Sequence, residues 1–286
     1  MTEPRPRQAA GPGTTDGAAP VLVADGLSKA YPMPGGGRHL AADSITFTVP
    51  RGGSVGIVGE SGSGKTTVAR MLVGLVRPDA GTVTVEGRVR PPRAPRGRAA
   101  RLARAREIQI VFQDPYVSLD PRLTARQCLL TVLRLHGAAP QAAEDRAAAL
   151  LDQVGLGARE AGARPHGLSG GQRQRLAIAR ALAVDPRVLV LDEAVAALDV
   201  SIQAQILELL ATIRRDTGVA LVFVSHDLAV VRYLTDETLV MRRGLAVEQG
   251  RTEQVLAAPS ASYTKALLAA VPREGWDPAA VAAGRG

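Results

Sequence analysis

Gly59-Glu-Ser-Gly-Ser-Gly-Lys-Thr66 stands directly behind the apolar run Ser54-Val-Gly-Ile-Val58 and opens a helix-like stretch. This is the spacing of a P-loop, a strand, glycine-rich loop and helix that together hold a nucleoside triphosphate. Gly59, Gly62 and Gly64 let the backbone turn sharply, so that its N–H groups converge on phosphate oxygens. The following helix aims its positive dipole end at the same anion. Lys65 is expected to reach the β- and γ-phosphates, and the Thr66 hydroxyl to ligate Mg²⁺. Glu60, Ser61, Ser63 and Thr67 complete the expected cradle. A plain turn between strand and helix would explain the glycines but not the Lys-Thr ending.

Outward from this loop, short β-type runs alternate with longer helical patterns, the rhythm of an α/β fold. Val21–Leu27 and Ser44–Val49 read as strands before the loop. After it, Lys65–Val76 reads as a helix and Thr82–Glu86 as a strand, with Glu107–Phe112 another. From Leu123 to Leu156 only helical signals occur, broken at Gly137 and Pro140, which marks a helical insert. The rhythm resumes with a helix at Gly170–Val184, a strand at Val188–Leu191, a helix at Ser201–Thr217 and a strand at Val219–Val224. Met241–Gln249 has the pattern of a hairpin. The first 20 residues read as a disordered tail, and the Ala/Gly-rich end from Pro272 as loose.

The chain of 286 residues is 46% hydrophobic and 22% charged, enough to bury a substantial core. A single cysteine, Cys128, excludes disulfide frameworks and multi-thiolate metal sites, and its apolar neighbours mark it as a buried small hydrophobe. No apolar run approaches the ~18 residues needed to cross a bilayer. The net charge of +8 raises a nucleic-acid reading, but eight arginines fall between Arg88 and Arg106 in a Pro- and Gly-broken stretch without aromatic residues. That stretch reads as a solvated loop rather than a base-stacking surface.

Two further segments carry chemistry. Val188-Leu-Val-Leu191 followed by Asp192-Glu193 places carboxylates at the carboxyl end of a strand, where α/β sheets bind ligands. Asp192 is the expected magnesium carboxylate and Glu193 the expected general base. Leu168-Ser-Gly-Gly-Gln-Arg-Gln-Arg175 supplies a helix cap at Ser169 and exposed N–H groups at Gly170 and Gly171, with Gln172 next in the expected nucleotide contact. A second anion-binding helix end in one chain points to a nucleotide clamped between two subunits.

Together, GESGSGKT, LSGGQ and VLVLDE resemble the ATP-binding-cassette ATPases, over roughly residues 21–250. The resemblance implies a P-loop NTPase core with an N-terminal antiparallel β region and an inserted helical subdomain at about 114–180. The cassette would span 21–258 and a C-terminal extension 259–286. It also implies roles for Gln113 as a contact to Mg²⁺ and water, for Asp199 at the dimer interface, for His226 at the γ-phosphate and for Tyr31 stacked on adenine. ATP and Mg²⁺ are the implied ligands, with Thr66, Gln113 and Asp192 around the metal. Ala196 stands where the family commonly has serine, and Ala194 where proline is frequent.

Phe112-Gln-Asp-Pro-Tyr-Val-Ser-Leu-Asp-Pro-Arg122, Asp199–Ile206 and the tail Tyr263–Pro272 resemble ATPase subunits of dipeptide and oligopeptide importers and their nickel and glutathione relatives. That implies ATP hydrolysis coupled to import of peptides or similar small solutes, at the cytoplasmic face of the membrane. The implied partners are a second, homologous or identical ATPase, two transmembrane permease subunits and, indirectly, an external solute-binding protein. A nucleic-acid-associated cassette or an exporter subunit are the alternatives. The chain has no long coiled coil, zinc module or second cassette of the nucleic-acid classes, so no direct nucleic-acid contact is expected.

Overall fold

The computed structural model describes residues 19–93 and 95–270. Two sheets stack with one helix between them. The first is antiparallel, ordered β2-β1-β4-β5, from β1 (Pro20–Pro32), β2 (Arg38–Pro50), β4 (Ala80–Val85) and β5 (Arg88–Val89). The second is ordered β10-β9-β3-β8-β7-β6. Here β3 (Ser54–Val58), β6 (Ile108–Phe112), β7 (Val188–Asp192), β8 (Ala220–Ser225) and β9 (Glu237–Arg242) are parallel, and β10 (Leu245–Arg251) is an antiparallel edge.

The parallel strands are continuous apolar runs because both their faces are covered. In β7, Val188 and Val190 join the core shared with the antiparallel sheet and α1 (Lys65–Val73), while Leu189 and Leu191 enter the core under the helices. In β8 the same alternation sends Val222 and Val224 one way and Leu221 and Phe223 the other. Pulling all these chains from water drives the stacking, at about 1.5–3 kcal/mol for each fully buried Val, Leu or Phe.

The helical insert contains α3 (Ala125–Leu135), α4 (Pro140–Gln153), α5 (Ala158–Gly162) and α6 (Gly170–Leu182). Its helices begin where capping chemistry permits. Thr124 and Gln127 form a reciprocal capping box at α3, and Pro140 takes the first turn of α4. The helices α7 (Val200–Thr217) and α8 (Leu228–Leu234) cover the same face of the main sheet, followed by α9 (Thr252–Ala257) and α10 (Ser262–Ala269). Cys128 is buried in α3. Among the described residues no helix is long and apolar enough to cross a membrane.

Several expectations need correction. The helix after the P-loop stops at Val73 rather than Val76, because Gly74 at φ +83° turns its N–H back onto the Arg70 and Met71 carbonyls. The hairpin β1–β2 runs farther than expected, and Pro20 already lies in a strand opposite Pro50. The arginine stretch is not a solvated loop throughout: Arg98–Glu107 forms α2, and Arg90 is buried. The expected tail over residues 1–18 and the loose end from Pro272 lie outside the described residues.

Candidate nucleotide site

The P-loop sits between the two sheets' ends and is shaped by close backbone approach. At Gly64, φ is +105° and a Cβ would come within 1.9 Å of the Ala41 carbonyl of β2. No other residue fits that position without moving the antiparallel sheet. The loop's outer edge is open: no heavy atom lies within 4 Å of where a Cβ on Gly62 would stand. Ser63 Oγ is buried inside the loop without a hydrogen-bond partner. An open, donor-rich cradle with an orphaned hydroxyl fits a phosphate chain.

Lys65 is buried, and its ammonium donates to the Gly59 carbonyl at 2.7 Å and the Glu60 carbonyl at 2.8 Å. Burial lowers its pKa, against the pull of Glu193, Asp192 and Glu60. The Thr66 hydroxyl donates to Asp192 Oδ1 at 3.1 Å, so the two residues expected around Mg²⁺ already touch. Asp192 is buried at the end of β7, and that burial raises its pKa, while Thr66 and Arg70 oppose the shift. Paired oxygens of a hydroxyl and a carboxylate form a donor set suited to Mg²⁺. Thr67 follows in the first turn of α1.

Glu193 follows Asp192 at φ +51°, a left-handed conformation uncommon for a side-chain-bearing residue. Its N–H donates to the Val224 carbonyl at 3.0 Å, which holds the turn against β8. In a continuing strand, consecutive side chains would point to opposite faces. The left-handed residue breaks that alternation, so Asp192 and Glu193 both line one cleft of about 560 Å³. Ser61, Thr66 and Arg70 from the P-loop and α1 also line it, as do Gln113 and its neighbours after β6. His226 Nδ1 stands 3.5 Å from Glu193 Oε1. The turn carrying it is tied by the Asp227 N–H to Ser225 Oγ at 2.9 Å.

The serine-glycine motif forms a separate group. Ser169 Oγ accepts from the Gln172 N–H at 3.2 Å, and Gln172 Oε1 accepts from the Ser169 N–H at 2.9 Å, which makes a complete capping box. Gly171 has no room for a side chain, since a Cβ would meet Ile202 Cγ2 of α7 at 2.4 Å. Leu198 lies 3.6 Å from the equivalent point at Gly170. The motif therefore packs on both sides of Asp199, against Leu198 before it and Ile202 after it. Asp199 itself is an exposed N-cap of α7, accepting from the Ile202 N–H at 3.0 Å and the Ser201 hydroxyl at 2.9 Å. Tyr31 is half-buried on β1 opposite His39, with Lys29 Nζ 5.7 Å from its ring centre.

Four contributors carry no role in the sequence reading. Arg70 lines the cleft one helical turn beyond Thr66, a spacing that could have revealed it. Arg173 of α6 stacks its guanidinium 4.7 Å from the Tyr116 ring, and Gln174 Nε2 donates to the Phe112 carbonyl at 3.4 Å. These contacts couple the serine-capped helix to the residues on both sides of Gln113. The fourth, Tyr263 of α10, accepts a hydrogen bond from the Glu60 N–H at 3.2 Å. No local pattern in the sequence pairs Arg173 with Tyr116 or Tyr263 with Glu60.

A family profile described as "ABC transporter" matches residues 42–196. The oligopeptide transport ATP-binding protein OppD of Mycobacterium tuberculosis is 42% identical over 282 residues, covering 96% of this chain and 45% of that protein. The probable peptide ABC transporter ATP-binding protein y4tS of Sinorhizobium fredii is 44% identical over 88% of this chain and 72% of its own length. The glutathione import ATP-binding protein GsiA of Escherichia coli is 44% identical over 88% of this chain and 41% of its own. The chain thus spans less than half the length of OppD and GsiA. Among solved structures, the ATP-binding cassette MJ0796, a dimer in a post-hydrolysis state bound to ADP and Pi, superposes with a TM-score of 0.72. It is 28% identical and covers 81% of this chain and 98% of that one. The cassette cbiO1 of Clostridium perfringens gives a TM-score of 0.73 at 27% identity, over 84% and 91% of the two chains. With its P-loop, strand-end carboxylates and serine-capped helix on this fold, the chain belongs to the ABC transporter family.

Proposed function

We propose that this chain is the ATP-binding and ATP-hydrolysing subunit of an ABC importer that moves peptides or related small solutes. The observation that carries the reading is the single cleft in which Thr66, Asp192, Glu193 and Gln113 face one another beside Lys65. The relatives named for oligopeptide, peptide and glutathione transport support the substrate class.

In this reading Lys65 leaves the Gly59 and Glu60 carbonyls to meet the β- and γ-phosphates. Thr66 and Asp192, with Gln113 across the cleft, would hold Mg²⁺, which supplies charge neutralisation at the phosphates when bound. Glu193 accepts the proton of the attacking water, and His226 beside it donates to the γ-phosphate. Tyr31 stacks on the adenine. Ser169, Gly170, Gly171 and Gln172 meet the nucleotide held by a second, homologous or identical ATPase chain, with Asp199 at that interface. Two permease subunits dock near Gln113 to Leu123, and a solute-binding protein acts through them from the opposite side of the membrane. The chain itself is peripheral, on the cytoplasmic face.

Glu193→Gln should bind ATP with near-native affinity yet lose at least about 100-fold in turnover, the usual contribution of a positioned base. Lys65→Ala should lose nucleotide affinity itself. Nucleotide binding by fluorescence together with phosphate release separates the two, and native turnover in the glutamine variant would refute the assigned base.

A further inference from the structure

The C-terminal extension reaches back to the nucleotide loop. Tyr263 lies in the first turn of α10, beyond the stretch matched by the family profile. Its side chain is 8% exposed, and the Arg242 guanidinium stacks 4.8 Å from its ring centre. Its hydroxyl accepts the Glu60 N–H, while the Glu60 carbonyl accepts from Lys65. One residue of the P-loop is therefore gripped through its N–H by α10 and through its carbonyl by the lysine.

The mount behind Tyr263 is itself fixed. The Glu248 carboxylate of β10 accepts from the Ser260 N–H at 2.7 Å, the Ser260 hydroxyl at 2.8 Å and the Ala261 N–H at 3.2 Å. The β9–β10 hairpin also touches the loop directly, as the Gly244 N–H donates to the Ser63 carbonyl at 2.9 Å. Ring packing alone would be satisfied by phenylalanine. What tyrosine adds is one oxygen, and that oxygen is spent on a P-loop amide.

We infer that residues 259–270 form a strut for the nucleotide loop, and that Tyr263 is a positioning residue for nucleotide binding. Committing the Glu60 N–H to Tyr263 turns that peptide away from the phosphates and fixes the direction in which the rest of the loop presents its donors. When Lys65 releases the Glu60 carbonyl, the Ser63 N–H still donates to that carbonyl at 3.1 Å, and Tyr263 still holds the Glu60 N–H. Preorganisation of this kind lowers the ordering cost of binding. The inference rests on the ATP-binding reading above.

Tyr263→Phe in the full chain removes the tether and keeps the ring. Loss of one neutral hydrogen bond predicts a roughly 3- to 10-fold rise in the Kd and KM for ATP, with kcat within twofold and the melting temperature nearly native. Without nucleotide, the Glu60 amide should exchange with solvent faster in the variant, while amides in β7 and β8 keep native protection. Native Glu60 exchange and native ATP affinity in Tyr263→Phe would overturn the strut. So would a fall in melting temperature with no change in Glu60 exchange. If the wild-type chain bound no ATP, the functional reading would fail, and the nucleotide-free exchange measurement would still decide the strut.

Discussion

Replacing Arg90 with methionine tests whether a cation in a strongly basic stretch serves structure or an anionic partner. The side chain is 4% exposed. Its Nε donates to Glu107 Oε2 at 2.7 Å, one Nη donates to the Leu72 carbonyl in the last turn of α1, and the other reaches the Arg104 carbonyl at 3.4 Å. Arg90 thus caps the C-terminal end of α1 and pins the end of α2. Methionine fills the stem volume but satisfies neither partner. The Leu72 carbonyl, in a fully buried residue, loses its charged donor, which costs about 1–3 kcal/mol. Glu107 keeps 36% of its side chain in water, so its part is held to about 1 kcal/mol by solvent screening.

The sum is about 3 kcal/mol, or roughly a 6–12 °C fall in melting temperature for a domain of this size. Urea unfolding followed by circular dichroism measures it. The control is Arg101→Met on the exposed face of α2, which should stay within about 0.5 kcal/mol of the parent. If the two variants are equally stable, Arg90 is not holding α1 and α2 together, and the account of the basic stretch fails.

Two further predictions concern the site. Burial raises the Asp192 pKa, so the fold disfavours the charged carboxylate at neutral pH; Asp192→Asn should raise the nucleotide-free stability by about 0.5–2 kcal/mol while abolishing Mg²⁺-dependent turnover. The sign follows from linkage: a carboxyl with a raised folded pKa destabilises the fold increasingly above its unfolded value of 3.8 and in full above the folded one, so the gain should vanish as pH falls toward 3.8, and a gain that persists there would refute the cause. Gly171→Ala should cost about 1–3 kcal/mol through its clash with Ile202, and Ile202→Ala in the same chain should recover part of the loss. A double-mutant cycle by urea unfolding checks this, and additive effects would exclude the clash.

The parallel strands were legible because burial on both faces leaves unbroken apolar runs, and the P-loop because glycine spacing and the Lys-Thr ending have few alternative uses. Asp192 was legible as the acid that ends such a run. The hairpin β1–β2 is longer than its sequence pattern because its register shifts between Ala24 and Leu27, and again before Lys29, interrupting the two-residue alternation. The apolar pattern outruns the helix after the P-loop because Leu75 and Val76 continue it past the stop that Gly74 imposes. Eight arginines in one stretch look alike in sequence. What separates Arg90 is a carboxylate at Glu107 and a helix end at Leu72, partners 17 and 18 residues away. The left-handed turn at Glu193 has no compositional sign, since glutamate is not a residue that favours it.

The two halves of the candidate site differ in what they leave unsatisfied. At the P-loop, a buried lysine rests on carbonyls, a serine hydroxyl has no partner, and a carboxylate is desolvated, so a bound anion and cation would relieve each in turn. At the other half, the lone pair of Ser169 already caps its helix. What remains there is the hydroxyl proton and the N–H groups of Gly170 and Gly171, which a helix's first turn leaves without internal acceptors. These groups are donors. In the proposed clamp, a triphosphate already neutralised at one end and still anionic at the other would satisfy both. Within one chain, the serine-capped helix packs against α7 rather than facing the P-loop cleft. The proposed clamp therefore draws its second half from another chain.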